Sequence, residues 1–143
     1  MKNAENLNFW KTGSSSPDIW IERTKKQIEN LGGKVKGEGF GSDDEGRAAY
    51  MVAFKMENET FKIIWPVMIS SSGNDRAARI QAATSLYHYV KAVCLYAVVV
   101  GHRVAFFSHL MLPGGQVASQ IADDQISLII PKMLLLKEGG DAQ

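Results

Sequence analysis

The sequence predicts an α+β domain: a helix, a three-stranded antiparallel meander and a long apolar helix, followed by short C-terminal helices or an extra strand. Apolar residues recur at helical spacing over residues 17–31 and alternate with a period of two over residues 48–69. Helical spacing then returns over residues 75–100. A chain of 143 residues is long enough to bury a core of its own.

Local signals mark both ends of the first helix. Ser16 is a suitable N-cap, Pro17 suits the first helical position, and Gly32-Gly33 ends the helix. Residues 1–15, which close in a glycine and serine stretch, are predicted to form a flexible N-terminal arm. Phe9 and Trp10 of this arm are able to dock on the body. Residues 16–143 are then a single α+β domain, since no repeat or linker divides them.

The meander is predicted from alternation and turn residues. Strands are expected at Val35–Phe40, at Ala48–Glu57 and after the turn Glu57–Glu59. Because Pro66 has no N–H to donate, the third strand is expected at an edge of the sheet or to bend there. The apolar face is expected to pack on the long helix, with Tyr50, Val52, Phe54, Phe61, Ile63 and Trp65 against Leu86, Val90 and Val93.

The long helix is expected from about Asp75 to about Val100, with Ser72 or Asn74 as its N-cap. Its last two turns are apolar nearly all round, so we expect cover on more than one side. Short helices are expected over residues 104–111 and 117–125. Residues 126–137 are strongly apolar, and Pro131 interrupts either a strand or a helix there.

Composition narrows the classes of function. One cysteine, Cys94, excludes an intramolecular disulfide and a cysteine-based zinc site, and its apolar surroundings predict a buried thiol in a reducing compartment. The N-terminus lacks the pattern of a signal peptide. The charge-free stretch 92–101 is far shorter than the roughly 20 residues that cross a bilayer. We therefore expect a soluble, cytoplasmic protein without a membrane partner.

Several candidate sites are outweighed by simpler interpretations. Gly37-Glu38-Gly39-Phe40-Gly41 leads into a meander, whereas a dinucleotide fingerprint needs a helix after its glycines. His88, His102 and His109 lack the spacing of three or four residues that metal ligands on a helix require. The sequence therefore predicts neither a cofactor nor a metal.

The acidic run Asp43-Asp44-Glu45 leaves a divalent-metal nuclease of the PD-(D/E)XK type open as a lesser alternative. Such a nuclease carries Glu-x-Lys on a strand. This chain has Glu59 and Lys62, one residue further apart, which places the two side chains on opposite faces. A solvated acidic loop is therefore the better interpretation, and we expect no enzyme.

The basic residues point to phosphate. Arg76 and Arg79 stand in the first turns of the long helix, just after a serine-rich loop, where backbone amides and guanidiniums together would bind a phosphate. Lys34 and Lys36 of the first strand and Lys25-Lys26 of the first helix would extend this site. The alternative is that the arginines pair with Asp75 or stay solvated. With a net charge of +1, nucleic-acid affinity requires such a local patch.

The order helix, strand, strand, strand, helix over residues 17–92 resembles the double-stranded-RNA-binding domain. The run from Asn74 to Ala83 is similar to the start of that family's last helix, and the resemblance implies phosphate contacts by Arg76 and Arg79. The family's Gly-Pro-x-His-type loop is replaced by an acidic loop here. The stretches 79–92 and 106–115 also resemble small uncharacterised proteins of phages and mobile elements.

We therefore expect a non-enzymatic small binding module that acts on nucleic acid, DNA or RNA, or on a nucleic-acid-handling complex of a phage or mobile element. The alternative is a protein-interaction or inhibitor module that uses the long helix and the tail. In that alternative a homodimer or a partner protein would bind through residues 95–112, where eleven large apolar residues crowd together.

Overall fold

The computed structural model describes residues 2–12 and 15–122, and it confirms the α+β class and the predicted element order. Helix α1 spans Pro17–Asn30, strands β1, β2 and β3 span Lys34–Ser42, Ala48–Met56 and Glu59–Val67, and helix α2 spans Asp75–Val100. Short helices α3 and α4 span His102–Ala105 and Ala118–Ala122, and 3₁₀ turns span Ala4–Asn6 and Phe107–His109. The undecided segment 126–137 lies outside the described residues.

The three strands form an antiparallel sheet in the order β1-β2-β3, so that β1 and β3 are its edges. Pro66 lies on the edge strand β3, as predicted. Beyond β3, Leu110 pairs with Phe61, and the Met111 N–H donates to the Thr60 carbonyl at 2.9 Å. A β-bulge at Lys36 interrupts the pairing of β1 with β2.

The sheet has an inner face and an outer face, because cross-strand partners point to the same side. The outer face is made of small and basic residues with a few larger apolar ones: Lys34, Gly37, Gly39, Gly41, Ala49, Met51, Ala53, Lys55, Thr60, Lys62, Ile64 and Pro66. The inner face carries the large apolar residues. Helices α1 and α2 therefore pack on the inner side.

The predicted packing of the meander on α2 is confirmed. Val52, Phe54 and Ile63 of the inner face and Leu86 and Val90 of α2 are fully buried in one cluster, with Trp65 and Val93 partly buried at its margin. Phe106, which follows α3, completes the cluster, with its ring 5.1 Å from that of Phe54 and 6.0 Å from that of Phe61. The core thus lies between the sheet, α1 and the first part of α2.

Helix α2 begins and ends on clear backbone signals. The Asn74 side chain accepts a hydrogen bond from the Ala77 N–H at 3.1 Å, which identifies Asn74 as the N-cap. Gly101 ends the helix at a φ of +94°, a conformation that favours glycine.

By length and composition alone, α2 is the one helix among residues 2–12 and 15–122 that would be able to cross a membrane, and 33% of its most apolar window is buried. The first half of α2 belongs to the α+β core, and the cytoplasmic location stays a prediction.

The N-terminal residues contact the domain, in contrast to the flexible arm expected from the sequence. The Ala4 N–H donates to the Ile69 carbonyl at 2.8 Å, and Ala4 itself is fully buried. The physical reason is Gln81, a buried side chain on α2 whose amide donates to the carbonyls of Ala4 and Asn8 at 2.8 and 3.0 Å. Phe9 stacks on His88 with 4.7 Å between ring centres, the docking that the sequence allowed. The domain boundary after residue 15 stays a prediction.

We predict that Val90→Asp unfolds the domain, because Val90 is fully buried against the inner face and a carboxylate has no partner there. The loss is expected to exceed the roughly 1.5–3 kcal/mol that burial of one large apolar side chain contributes. Denaturant unfolding followed by circular dichroism measures it. Ile19→Asp is the matched control, since Ile19 lies outside both the core and the end of α2 and is 44% exposed. A cooperatively folded Val90→Asp protein would contradict the core described above.

Candidate functional site

The two arginines of the predicted phosphate site lie at the start of α2 as expected, but their surroundings are acidic. The guanidinium of Arg79 lies over the ring of Phe40, 5.2 Å from its centre, and Arg76 is exposed to solvent. Arg79 borders a cleft of about 470 Å³ that is also lined by Asp43, Glu45 and Asp75. Arg47 pairs with Asp43 and Glu45, so the carboxylates at the cleft still outnumber the guanidiniums by three to two, which disfavours phosphate.

The serine-rich loop before α2 already binds an anion, and the anion comes from the chain itself. The Glu5 carboxylate accepts hydrogen bonds from the backbone N–H groups of Ser71 and Ser72 at 2.9 and 3.1 Å. The hydroxyls of Ser72 and Ser70 donate to the same carboxylate, both at 2.7 Å. The hydrogen bonds from the hydroxyls of Ser72 and Ser70, together with those from the backbone, hold the pKa of Glu5 well below its usual range. The amides and hydroxyls of the serine loop are therefore already engaged by Glu5, and phosphate binding by Arg76 and Arg79 stays a prediction.

The four lysines are not brought to the arginines. Lys25 forms ion pairs with Glu22 at 2.7 Å and with Glu38, and these two partners raise its pKa. Lys26 is exposed on α1. Lys34 and Lys36 lie at the start of β1, and about 20 Å of extended strand separates Lys34 from Phe40 beneath Arg79. The six basic residues therefore form separate groups, and nucleic-acid binding stays a prediction.

The acidic loop and the third strand do not assemble into a metal centre. Arg47 pairs with Asp43 at 2.7 Å and approaches Glu45 at 3.5 Å. Glu59 lies 3.3 Å from Arg103, and Lys62 points to the outer face. Over residues 2–12 and 15–122, no three His, Cys, Asp or Glu side chains come together to hold a metal ion. The nuclease alternative also stays untested.

The three histidines have separate partners. His88 stacks on Phe9, and His102 lies 3.5 Å from Glu59. The Nε2 of His109 and the hydroxyl of Tyr89 are 2.6 Å apart, and burial lowers the pKa of His109 to about 4. His109 is therefore neutral at physiological pH and links the segment after α3 to the middle of α2.

The largest exposed apolar surface among the described residues surrounds the end of α2. We call it the apolar patch, and it consists of Leu95, Tyr96, Val98, Val99, Val100, Val104 and Phe107. Val99, Val98 and Leu95 are 78%, 73% and 71% exposed. Monomeric proteins rarely leave so many neighbouring apolar side chains in water. The crowding at residues 95–112 is visible in the sequence, but which of those side chains remain exposed is not.

Known proteins give no further guide to this site. No family model, no curated protein and no solved structure matches the chain. The resemblances to the double-stranded-RNA-binding domain and to proteins of phages and mobile elements stay predictions. The apolar patch is consequently the feature of the described residues from which a function is best argued.

We predict that the buried His109 makes the protein less stable as the pH falls from about 6.5 to about 4. Its folded pKa is lower than that of an unfolded histidine, so between these values the unfolded chain binds more protons. Stability from this group is complete above pH 6.5 and is lost as the pH falls through the folded pKa. His109→Gln, which retains a polar partner for Tyr89, should flatten the pH dependence of the unfolding midpoint. His88→Gln is the control at an exposed histidine. Parallel curves for His109→Gln and the unaltered protein would exclude this role.

Proposed function

We propose that this protein is a non-enzymatic interaction module that pairs with a second copy of itself through the apolar patch. One observation supports the proposal above all. Six of the seven patch side chains, all except Val100, are more than half exposed at the end of a helix whose first half is well packed. A surface of this kind marks an interaction site.

The size of the apolar patch fits a stable dimer. The exposed fractions of its seven residues correspond to roughly 800 Å² for each copy, which is the contribution that each partner makes to an interface of standard size. Area alone does not set the affinity, because association costs translational, rotational and side-chain freedom, but an interface of this size lies in the range of specific, stable complexes.

The arrangement of the apolar patch suits pairing of helix with helix. Leu95, Val98 and Val99 follow the spacing of three and four residues that forms a ridge on a helix. Ala92 is exposed one turn earlier, where a small residue allows close approach of a second helix. The exposed charges of Lys91 and Arg103 stand at the margins. A twofold axis across this ridge buries apolar residues against each other and leaves those charges in water.

We predict that the protein is a dimer at micromolar concentration and that Val99→Glu makes it a monomer, because a buried carboxylate would face its own copy across the axis. Light scattering after size exclusion gives the mass. Ile19→Glu is the matched control, since it places the same charge at an exposed aliphatic residue of α1 outside the patch. Circular dichroism verifies that both variants are folded.

Two results would contradict the dimer. One is a monomer mass for the unaltered protein even at concentrations far above the micromolar range. The other is sedimentation of the protein with vesicles of neutral phosphatidylcholine that Val99→Glu abolishes, because the apolar patch would then bind lipid.

A second candidate, nucleic-acid binding, is favoured by the lysines at one end of the sheet. Lys34 and Lys55 are cross-strand partners, both are exposed, and Lys36 is exposed beside them. Like charges directly opposite each other destabilise a strand pair, and a bound phosphate would relieve that repulsion. The outer face as described contains no carboxylate that would neutralise them.

We predict that, if this second function holds, Lys34→Ala with Lys55→Ala weakens binding of single- or double-stranded oligonucleotides. The slope of log affinity against log salt should flatten by about 0.7–0.9 for each lost contact. Arg76→Ala with Arg79→Ala is the comparison, and it should have the smaller effect because the cleft beside Arg79 is acidic. Absence of binding by the unaltered protein at low salt would eliminate this candidate.

A further inference from the structure

We propose that Tyr96 of each copy inserts into the groove between α1 and α2 of the other copy, and that the two α2 helices of the dimer therefore run parallel. This inference rests on the proposed dimer, to which it adds the groove as a second contact surface. The lining of the groove, the position of Tyr96 around α2 and the symmetry of a twofold pair support it.

The groove lies where the end of α1 meets the second half of α2. It has a volume of about 540 Å³ and is open to solvent. Both helices contribute apolar and polar side chains to its lining: Leu31, Leu95 and Val98 are apolar, and Gln27, Asn30 and Lys91 are polar. Leu95 and Val98 belong to the apolar patch as well, so the groove and the apolar patch form one continuous surface.

Tyr96 has the shape and chemistry that this lining requires. It is 52% exposed, and it is the patch residue that combines an aromatic ring with a polar end. Its ring would cover the apolar lining, while its hydroxyl would reach the side-chain amide of Gln27 or Asn30. Within residues 2–12 and 15–122, neither of these amides forms a hydrogen bond. The ammonium group of Lys91 would be attracted by the face of the ring.

Tyr96 and the groove lie on opposite flanks of the exposed side of α2. Val99 is 78% exposed and marks the middle of this side. Successive helical residues are turned by about 100° around the axis, so Leu95 and Val98 of the groove lie about 40° and about 100° to one side of Val99. Tyr96 lies about 60° to the other side. Tyr96 therefore points away from the groove of its own chain, and its ring is able to enter such a groove only on a second copy.

The symmetry of the pair decides which flanks meet. In a parallel twofold pair, opposite flanks face each other, as positions e and g do in a parallel coiled coil. Each residue then lies at the height of the same residue of the other copy, which brings Tyr96 level with the groove residues Leu95 and Val98. Both grooves are filled at once. In an antiparallel pair equal flanks face each other, so the two copies of Tyr96 would share a flank and neither groove would receive a tyrosine.

Photocrosslinking in the full-length chain tests this contact. The photoreactive residue p-benzoylphenylalanine replaces Tyr96, whose ring it resembles, and light scattering first establishes that the altered chain is still a dimer. Irradiation should then join position 96 to residues 27–31 of the other copy, seen as covalent dimers on a denaturing gel and located by mass spectrometry. The same photoreactive residue in place of Ile19 is the control, because Ile19 is exposed outside the apolar patch and should give no covalent dimer.

The result separates this inference from the dimer itself. A dimer whose crosslinks between copies avoid residues 27–31 would leave the proposed function standing and overturn the insertion of Tyr96. A monomer mass for the unaltered protein would contradict the proposed function, and this inference with it.

A second measurement does not depend on the photoreactive residue. Tyr96→Glu should raise the dissociation constant of the dimer about tenfold or more, because an aromatic anchor is lost. Asn30→Arg in the same chain should lower the constant again several-fold, since the new guanidinium would face the new carboxylate of the other copy across the groove. Ile19→Arg with Tyr96→Glu is the matched control, because it adds the same charge to α1 outside the groove and should recover nothing.

Sedimentation equilibrium gives these dissociation constants, and circular dichroism verifies that each variant is folded. Equal constants for the chains that combine Tyr96→Glu with Asn30→Arg and with Ile19→Arg would also refute the inference.

Discussion

The length of α2 relative to the sheet is the constraint on which the rest of the structure depends. A helix of 26 residues is about 39 Å long. A nine-residue strand is about 30 Å long, and a three-stranded sheet covers only one side of a helix. Leu86 and Val90 therefore find cover on the inner face, whereas the last two turns bury only one side, with Cys94 and Ala97 in the core and Val99 exposed. The apolar patch is centred on the uncovered side of these last turns.

The short elements after α2 compensate for only part of the mismatch. Gly101 turns the chain back, Phe106 enters the core between Phe54 and Phe61, and His109 reaches the hydroxyl of Tyr89. These contacts cover one side of α2. The opposite side, with Leu95 and Val99, stays more than two-thirds exposed. The same segment thus completes the core and leaves an apolar surface for association.

The elements were predictable from the sequence because their signals are local. Asp75 and Val100 bound α2 as expected, since an asparagine cap and a glycine stop stand beside them. The occupied anion site was not predictable, because Glu5 lies more than 60 residues from the serines it contacts and no spacing rule connects them. The same limit applies to the basic residues. The pair of Glu22 with Lys25 follows helical spacing, but no local pattern reveals that Glu38 also engages Lys25, or that carboxylates line the cleft beside Arg79.

The contact between Glu5 and the serine loop has a consequence for the order of folding. The meander and α2 are joined by short connections, so their contacts form with little loss of chain entropy. The hydrogen bonds between the Glu5 carboxylate and the hydroxyls of Ser70 and Ser72 close a loop of more than 60 residues. They are surface contacts to a charged group. Because closure of so long a loop costs chain entropy, we expect this contact to form after the core has fixed the serine loop. The N-terminal residues would then join a domain whose α2 is already in place.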